Sequence, residues 1–149
     1  KDQLEKLKKF WEFLGSRVKT MNIEDHDNIL ALTSHLPHVI AYNIVRTAIG
    51  TDNKYRESII KYSAGGLRDF TRIASSDPIM WRDIFIDNSA NILKTIDEFS
   101  NNLKDFRKAI AEKNGDKLIR IFASTKNVRQ EIVKAKQEIN LPDFGRKKD

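Results

Sequence analysis

The stretch Ile92-Leu93-Lys94-Thr95-Ile96-Asp97-Glu98-Phe99-Ser100-Asn101-Asn102-Leu103-Lys104-Asp105-Phe106-Arg107-Lys108-Ala109-Ile110 decides the fold class. Ile92, Ile96, Phe99, Leu103, Phe106 and Ile110 follow one another at spacings of 4, 3, 4, 3 and 4, a heptad seam along one long helix. After Asn114-Gly115, Leu118, Ile121, Phe122, Val128, Ile132 and Ala135 mark the apolar side of a second helix, so the pair predicts an antiparallel hairpin. With Ile84, Phe85 and Ile86 added, the apolar surface leaves room for a second subunit to cover part of it. The expected architecture is an all-α bundle, arranged as an intertwined homodimer.

Working back toward the N-terminus, Leu4, Leu7, Phe10, Trp11 and Leu14 recur at helical spacing and Gly15 supplies a stop. Arg17 to Met21 reads as an extended connector. Asn22 can cap a long helix from Ile23 to Ile49 that ends at Gly50, with Glu24 and Asp25 favourably placed against its dipole. Pro37 interrupts that helix, because proline lacks the amide donor and its ring clashes with the carbonyl four residues back, so a kink or break is expected near Thr33 and Ser34. Thr51 to Lys54 reads as a loop, followed by a helix over residues 55–63. Gly65-Gly66 then permits a tight bend or a close backbone approach, helical spacing resumes over residues 68–74, and Pro78 opens another short helix.

The 149 residues suit one domain with one core, residues 1–149. A hydrophobic fraction of 40% against 32% charged residues is that of a folded globular chain, which excludes a disordered one. No apolar run is long enough to span a bilayer and no signal-peptide stretch follows the basic start, so the chain is expected to be cytoplasmic with no membrane partner. There is no cysteine, which removes disulfide and thiolate chemistry. The net charge of +6 invites a nucleic-acid reading, but the lysines are interleaved with Asp and Glu and no recognition motif accompanies them; no nucleic-acid partner is expected. The first methionine is Met21, which suggests a piece of a longer protein.

Two polar segments stand out within the helical pattern: Ser34-His35-Leu36-Pro37-His38 and Gly65-Gly66-Leu67-Arg68-Asp69-Phe70-Thr71-Arg72. At about 100° per residue His26 and His35 project to opposite sides of a straight helix, which disfavours a three-histidine metal site. His26 is read as a first-turn residue paired with Asp27. His38 follows Pro37 where backbone groups are freed and a side chain can be aimed into a cleft. Arg68 and Arg72 share a face, and Asp69 could orient the Arg72 guanidinium as a carboxylate-binding fork. The plainer alternative is a surface ion pair worth about 0 to 1 kcal/mol. Trp81 reads as core, cleft wall or interface. No Gly-x-Ser-x-Gly and no Gly-x-Gly-x-x-Gly is present, so the chain offers neither a hydrolase elbow nor a dinucleotide cradle.

His26-Asp27, Ala31-Leu32-Thr33-Ser34-His35-Leu36-Pro37-His38, Gly65-Gly66-Leu67-Arg68-Asp69-Phe70-Thr71-Arg72-Ile73-Ala74 and Asp77-Pro78-Ile79-Met80-Trp81-Arg82-Asp83-Ile84, with Asn88 beyond, closely resemble the C-terminal helical domain of prephenate dehydrogenases. Order and spacing agree across about Trp11 to Asn88, with Leu67 standing where the family often has Phe. The resemblance implies an oxidoreductase of tyrosine biosynthesis that oxidises and decarboxylates prephenate to 4-hydroxyphenylpyruvate with NAD or NADP. It also implies that an N-terminal dinucleotide-binding domain, absent from this chain, holds the cofactor and the catalytic residue, so the chain alone is expected to be inactive. By the same resemblance, His38 and Arg72 bind substrate, Arg72 takes a carboxylate, Asp69 orients it and Trp81 shapes the site, with His35 a further candidate. Arogenate as substrate and a non-catalytic helical interaction module are the alternatives.

Overall fold

A computed structural model describes residues 2–50 and 55–135. Every regular element among the described residues is helical, as the apolar periods require. The expected loop at 51–54 and the basic residues 146–148 lie outside the described residues.

Helix α1 (Asp2–Phe13) ends through Gly15, whose φ of 88° is open to glycine without strain. Ser16 N–H reaches the Trp11 carbonyl and Gly15 N–H the Glu12 carbonyl, both at 3.0 Å, so the last turn is closed by a Schellman pair. Its apolar stripe finds no cover: Leu4, Leu7, Phe10, Trp11 and Leu14 are each 46% to 57% exposed. Residues 16–22 form an irregular connector, as expected.

Asn22 caps α2 (Ile23–Leu30) by accepting the Asp25 N–H at 2.7 Å. The helical run then continues without a break through a π-turn (Ala31–His35) into α3 (Leu36–Gly50). The disturbance predicted ahead of Pro37 is therefore a widened turn in which Leu36 N–H bonds the Ala31 carbonyl five residues back. Such a turn inserts an extra residue where the proline ring would otherwise meet a carbonyl. Ala31, His35 and Ala41 become buried along this run.

Helix α4 (Arg56–Lys61) is shorter than the expected 55–63, and α5 (Gly65–Ile73) begins at the two glycines themselves. Neither glycine has a left-handed φ, and a Cβ on either would meet nothing within 4 Å. The close backbone approach expected at Gly65-Gly66 is thus not found among the described residues; the pair serves as a helix start after extended Ala64. Helix α5 packs on α3. Asp77 caps α6 (Pro78–Asp87) by accepting Met80 N–H at 2.8 Å, with Pro78 in the first turn where its missing donor costs nothing.

Helices α7 (Ser89–Ala111) and α8 (Gly115–Lys134) form the predicted hairpin. The left-handed residue that ends α7 is Lys113 (φ 51°), with no glycine at that position, and Asn114 caps α8 through Lys117 N–H at 2.9 Å. Near the turn, Lys117 Nζ lies 3.2 Å from Asp105 Oδ1 and the Phe106 and Phe122 rings are 6.1 Å apart. Of the heptad seam only Ile92 is buried, while Leu103 and Ile110 are 55% and 62% exposed. The chain divides into two compact units, Lys1–Asp97 and Glu98–Asp149, and the division falls within α7.

Candidate functional site

The π-turn and the first turn of α3 present His35 and His38 three residues apart, and α6 brings Trp81 against both. The His38 ring stacks on Trp81 with centroids 3.5 Å apart and planes 21° from parallel. His35 meets the same indole edge-on at 6.2 Å, and Phe85, one turn beyond Trp81, meets it at 5.4 Å. Trp81 is only 6% exposed and its Nε1–H has no acceptor among the described residues. His38 is half-buried and fixed by an Nδ1 contact of 2.9 Å to the Ser34 carbonyl inside the π-turn. The widened turn thus orients His38 as well as relieving Pro37.

His35 is buried, and its Nδ1 lies 3.2 Å from Asn88 Nδ2. Burial lowers its pKa below the usual histidine value, since the charged ring loses solvation; the negative charge of Asp27 opposes this, while His26 and His38 add to it. His26 is exposed and pairs with Asp27 at 2.9 Å, as its sequence position suggested.

Arg72 and Asp69 lie on α5. Tyr42, one turn beyond His38, donates to the Ser76 carbonyl at 3.3 Å, one turn beyond Arg72. That bond sets the Arg72 end of α5 alongside the α3 turn that carries His38 and Tyr42. Arg72 is exposed and Asp69 half-buried, and no hydrogen bond or ion pair joins the two among the described residues. The arrangement thus has a stacked aromatic wall, a buried imidazole whose charged form is disfavoured and an arginine on the neighbouring helix. A guanidinium is a donor suited to a carboxylate and an imidazole face to a flat ring, but neither supplies a redox group.

Tyr42, Phe85 and the bonding role of Asn88 were missed in the sequence. Tyr42 and Phe85 each stand four residues after a candidate site residue, on the same helical face, which is the signal that could have found them. Asn88 marks the junction of α6 and α7.

A family model described as prephenate dehydrogenase, dimerization domain, matches residues 22–124. Cyclohexadienyl dehydrogenase of Zymomonas mobilis is 45% identical over 120 residues, covering 80% of this chain and 41% of the relative. Prephenate dehydrogenase of Bacillus subtilis is 33% identical over 144 residues, covering 97% of this chain and 38% of the relative. The crystal structure of prephenate dehydrogenase from Aquifex aeolicus in complex with hydroxyphenyl propionate and NAD+ superposes with a TM-score of 0.79 at 39% identity, covering 88% of this chain and 46% of that one. The chain therefore spans less than half the length of the relatives it matches. No helix among the described residues is long and apolar enough to cross a membrane. With the motifs, the helical fold and the family match in agreement, this chain belongs to the prephenate dehydrogenase family, through its dimerization domain.

Proposed function

We propose that residues 1–149 are the C-terminal helical domain of a longer, cytoplasmic, NAD-dependent prephenate dehydrogenase, which oxidises and decarboxylates prephenate to 4-hydroxyphenylpyruvate in tyrosine biosynthesis. The observation that carries this reading is the His38–Trp81 stack, set beside the helix that bears Arg72. A flat aromatic face suits the cyclohexadiene ring, and a planar guanidinium suits a carboxylate of the dianion. His38, held in place by its stack on the buried Trp81, faces the ring, and Arg72 fixes its direction. With Asp69 on the same helix, α5 carries both members of the predicted carboxylate receptor.

The cofactor does not fit this chain. An all-helical fold without a glycine-rich strand-to-helix turn has no cradle for a pyrophosphate, so NAD, which accepts the hydride, is assigned to a dinucleotide domain outside these residues. The exposed apolar stripes of α1, α7 and α8 support a homodimer, since single-chain packing leaves them in water. An open groove of about 470 Å³ lined by Val39, Tyr42, Arg46, Phe85, Ile92 and Ile96 is a further largely apolar opening, on the first unit.

The test is turnover by the purified full-length protein. NADH and carbon dioxide should form in equal amounts from prephenate, and residues 1–149 alone should form neither. Turnover of arogenate with no turnover of prephenate would transfer the reading to the amino acid, and turnover of neither would refute it in favour of a non-catalytic module.

A further inference from the structure

Asn88 is 9% exposed and stands where α6 gives way to α7. Its amide orientation is fixed by a backbone carbonyl. Nδ2 lies 2.8 Å from the Asp27 backbone carbonyl, which can only accept, and Oδ1 accepts from Asn91 Nδ2 at 2.8 Å. Rotating the amide by half a turn would set two oxygens against each other at Asp27, whichever way the Asn91 amide is turned. The group facing His35 Nδ1 at 3.2 Å is therefore an N–H donor. An imidazole nitrogen that accepts carries no proton, so the single proton of the ring is on Nε2.

We propose that Asn88 is a positioning residue that holds His35 as the neutral Nε2–H tautomer, so that the free Nε2–H is a hydrogen-bond donor for an oxygen of the bound ligand. The use of that donor rests on the substrate-cleft reading above, whereas the tautomer follows from the Asn88 geometry alone. Protonating His35 would bring two N–H groups together at Nδ1, and Asn88 cannot turn to relieve them without losing its bond to the Asp27 carbonyl. The groups that face His35 are Asp27 and His26 from α2, His38 from α3, Trp81 from α6 and Asn88 between α6 and α7. Asp27 favours the charged ring, while burial and both histidines disfavour it, the burial most. Charge and hydrogen bonding thus select the same neutral state.

The test is nitrogen NMR of the intact protein labelled with ¹⁵N-histidine, without substrate. The His35 resonances are identified as those lost in a His35→Gln variant. His35 should show a protonated Nε2 and a bare Nδ1 at pH 7, and should titrate below the ordinary value of about 6.5. Asn88→Asp puts an acceptor where the donor stood, so the tautomer should switch to Nδ1–H and the titration should move up by about one pH unit or more. A wild-type His35 found as Nδ1–H or as imidazolium overturns the proposal, as does a folded Asn88→Asp protein with an unchanged tautomer. If that variant fails to fold, the wild-type spectrum decides by itself. Because no substrate is present, failure here is separate from failure of the prephenate assay.

Discussion

Replacing Trp81 with phenylalanine should leave stability almost unchanged, although Trp81 is the most deeply buried aromatic side chain among the described residues. Two terms oppose one another. Cutting indole to phenyl gives up as much as about 50 Å² of buried apolar surface, or about 1.3 kcal/mol at about 25 cal/mol per Å². A void of about 30 Å³ left behind adds about 0.7 kcal/mol. Against this, the substitution removes an indole N–H that is buried with no acceptor, a group whose desolvation costs about 1–3 kcal/mol. The net effect is within about 1 kcal/mol of zero. Trp81→Ala also loses the stack on His38 and the contacts with His35 and Phe85, and truncation of a buried aromatic costs about 3–5 kcal/mol. For a chain of this size, about 1 kcal/mol corresponds to about 2–4 °C. Thermal unfolding followed by circular dichroism, at one protomer concentration, should therefore show Trp81→Phe within about 4 °C of wild type and Trp81→Ala far below it. If Trp81→Phe falls as far as Trp81→Ala, the indole N–H is bonded in the protein and the reasoning fails.

Two other predictions follow from the same structure. Since the folded pKa of His35 lies below its unfolded value, the unfolded chain takes up the proton first as the pH drops, so this residue lowers stability from about pH 6.5 downward until the folded form is protonated too. His35→Gln should flatten the loss of stability between pH 7.5 and 5.5 in denaturant titrations, and an equally steep loss in the variant would mean that His35 is not its source. Sedimentation at tens of micromolar should find dimers, and Leu103→Lys, which puts a charge on an exposed apolar position of α7, should shift them toward monomer; a wild-type monomer would contradict the homodimer.

Helix ends were legible because single residues set them: Asn22 and Pro78 at starts and Gly15 at a stop act through local hydrogen bonds and φ alone. The π-turn was legible only as a disturbance, since periodicity places Pro37 wrongly for an α-helix but does not say whether the chain breaks or widens. Lys113 holds the left-handed position that glycine usually fills, and the glycine two residues on begins α8 after the Asn114 cap, so the Asn-Gly pair pointed to the wrong residue for the end of α7. The heptad seam revealed an apolar surface without revealing what covers it, and in the single chain Leu103 and Ile110 stand exposed. In the site, the His35–His38 pair was visible from spacing. Its contact with Trp81, more than forty residues away, follows from how α6 packs, which no local pattern encodes. The same is true of Asn88, whose partners at Asp27 and His35 come from a distant helix.

The claim that these helices build the carboxylate-binding half of a prephenate site is tested most directly by steady-state kinetics of Arg72→Ala in the full-length protein. A charge-assisted hydrogen bond worth about 1.5–3 kcal/mol predicts a fall in kcat/KM for prephenate of about 10- to 150-fold, seen mainly in KM, with KM for NAD within about twofold of wild type. An unchanged KM for prephenate, or an equal rise in both Michaelis constants, would contradict it.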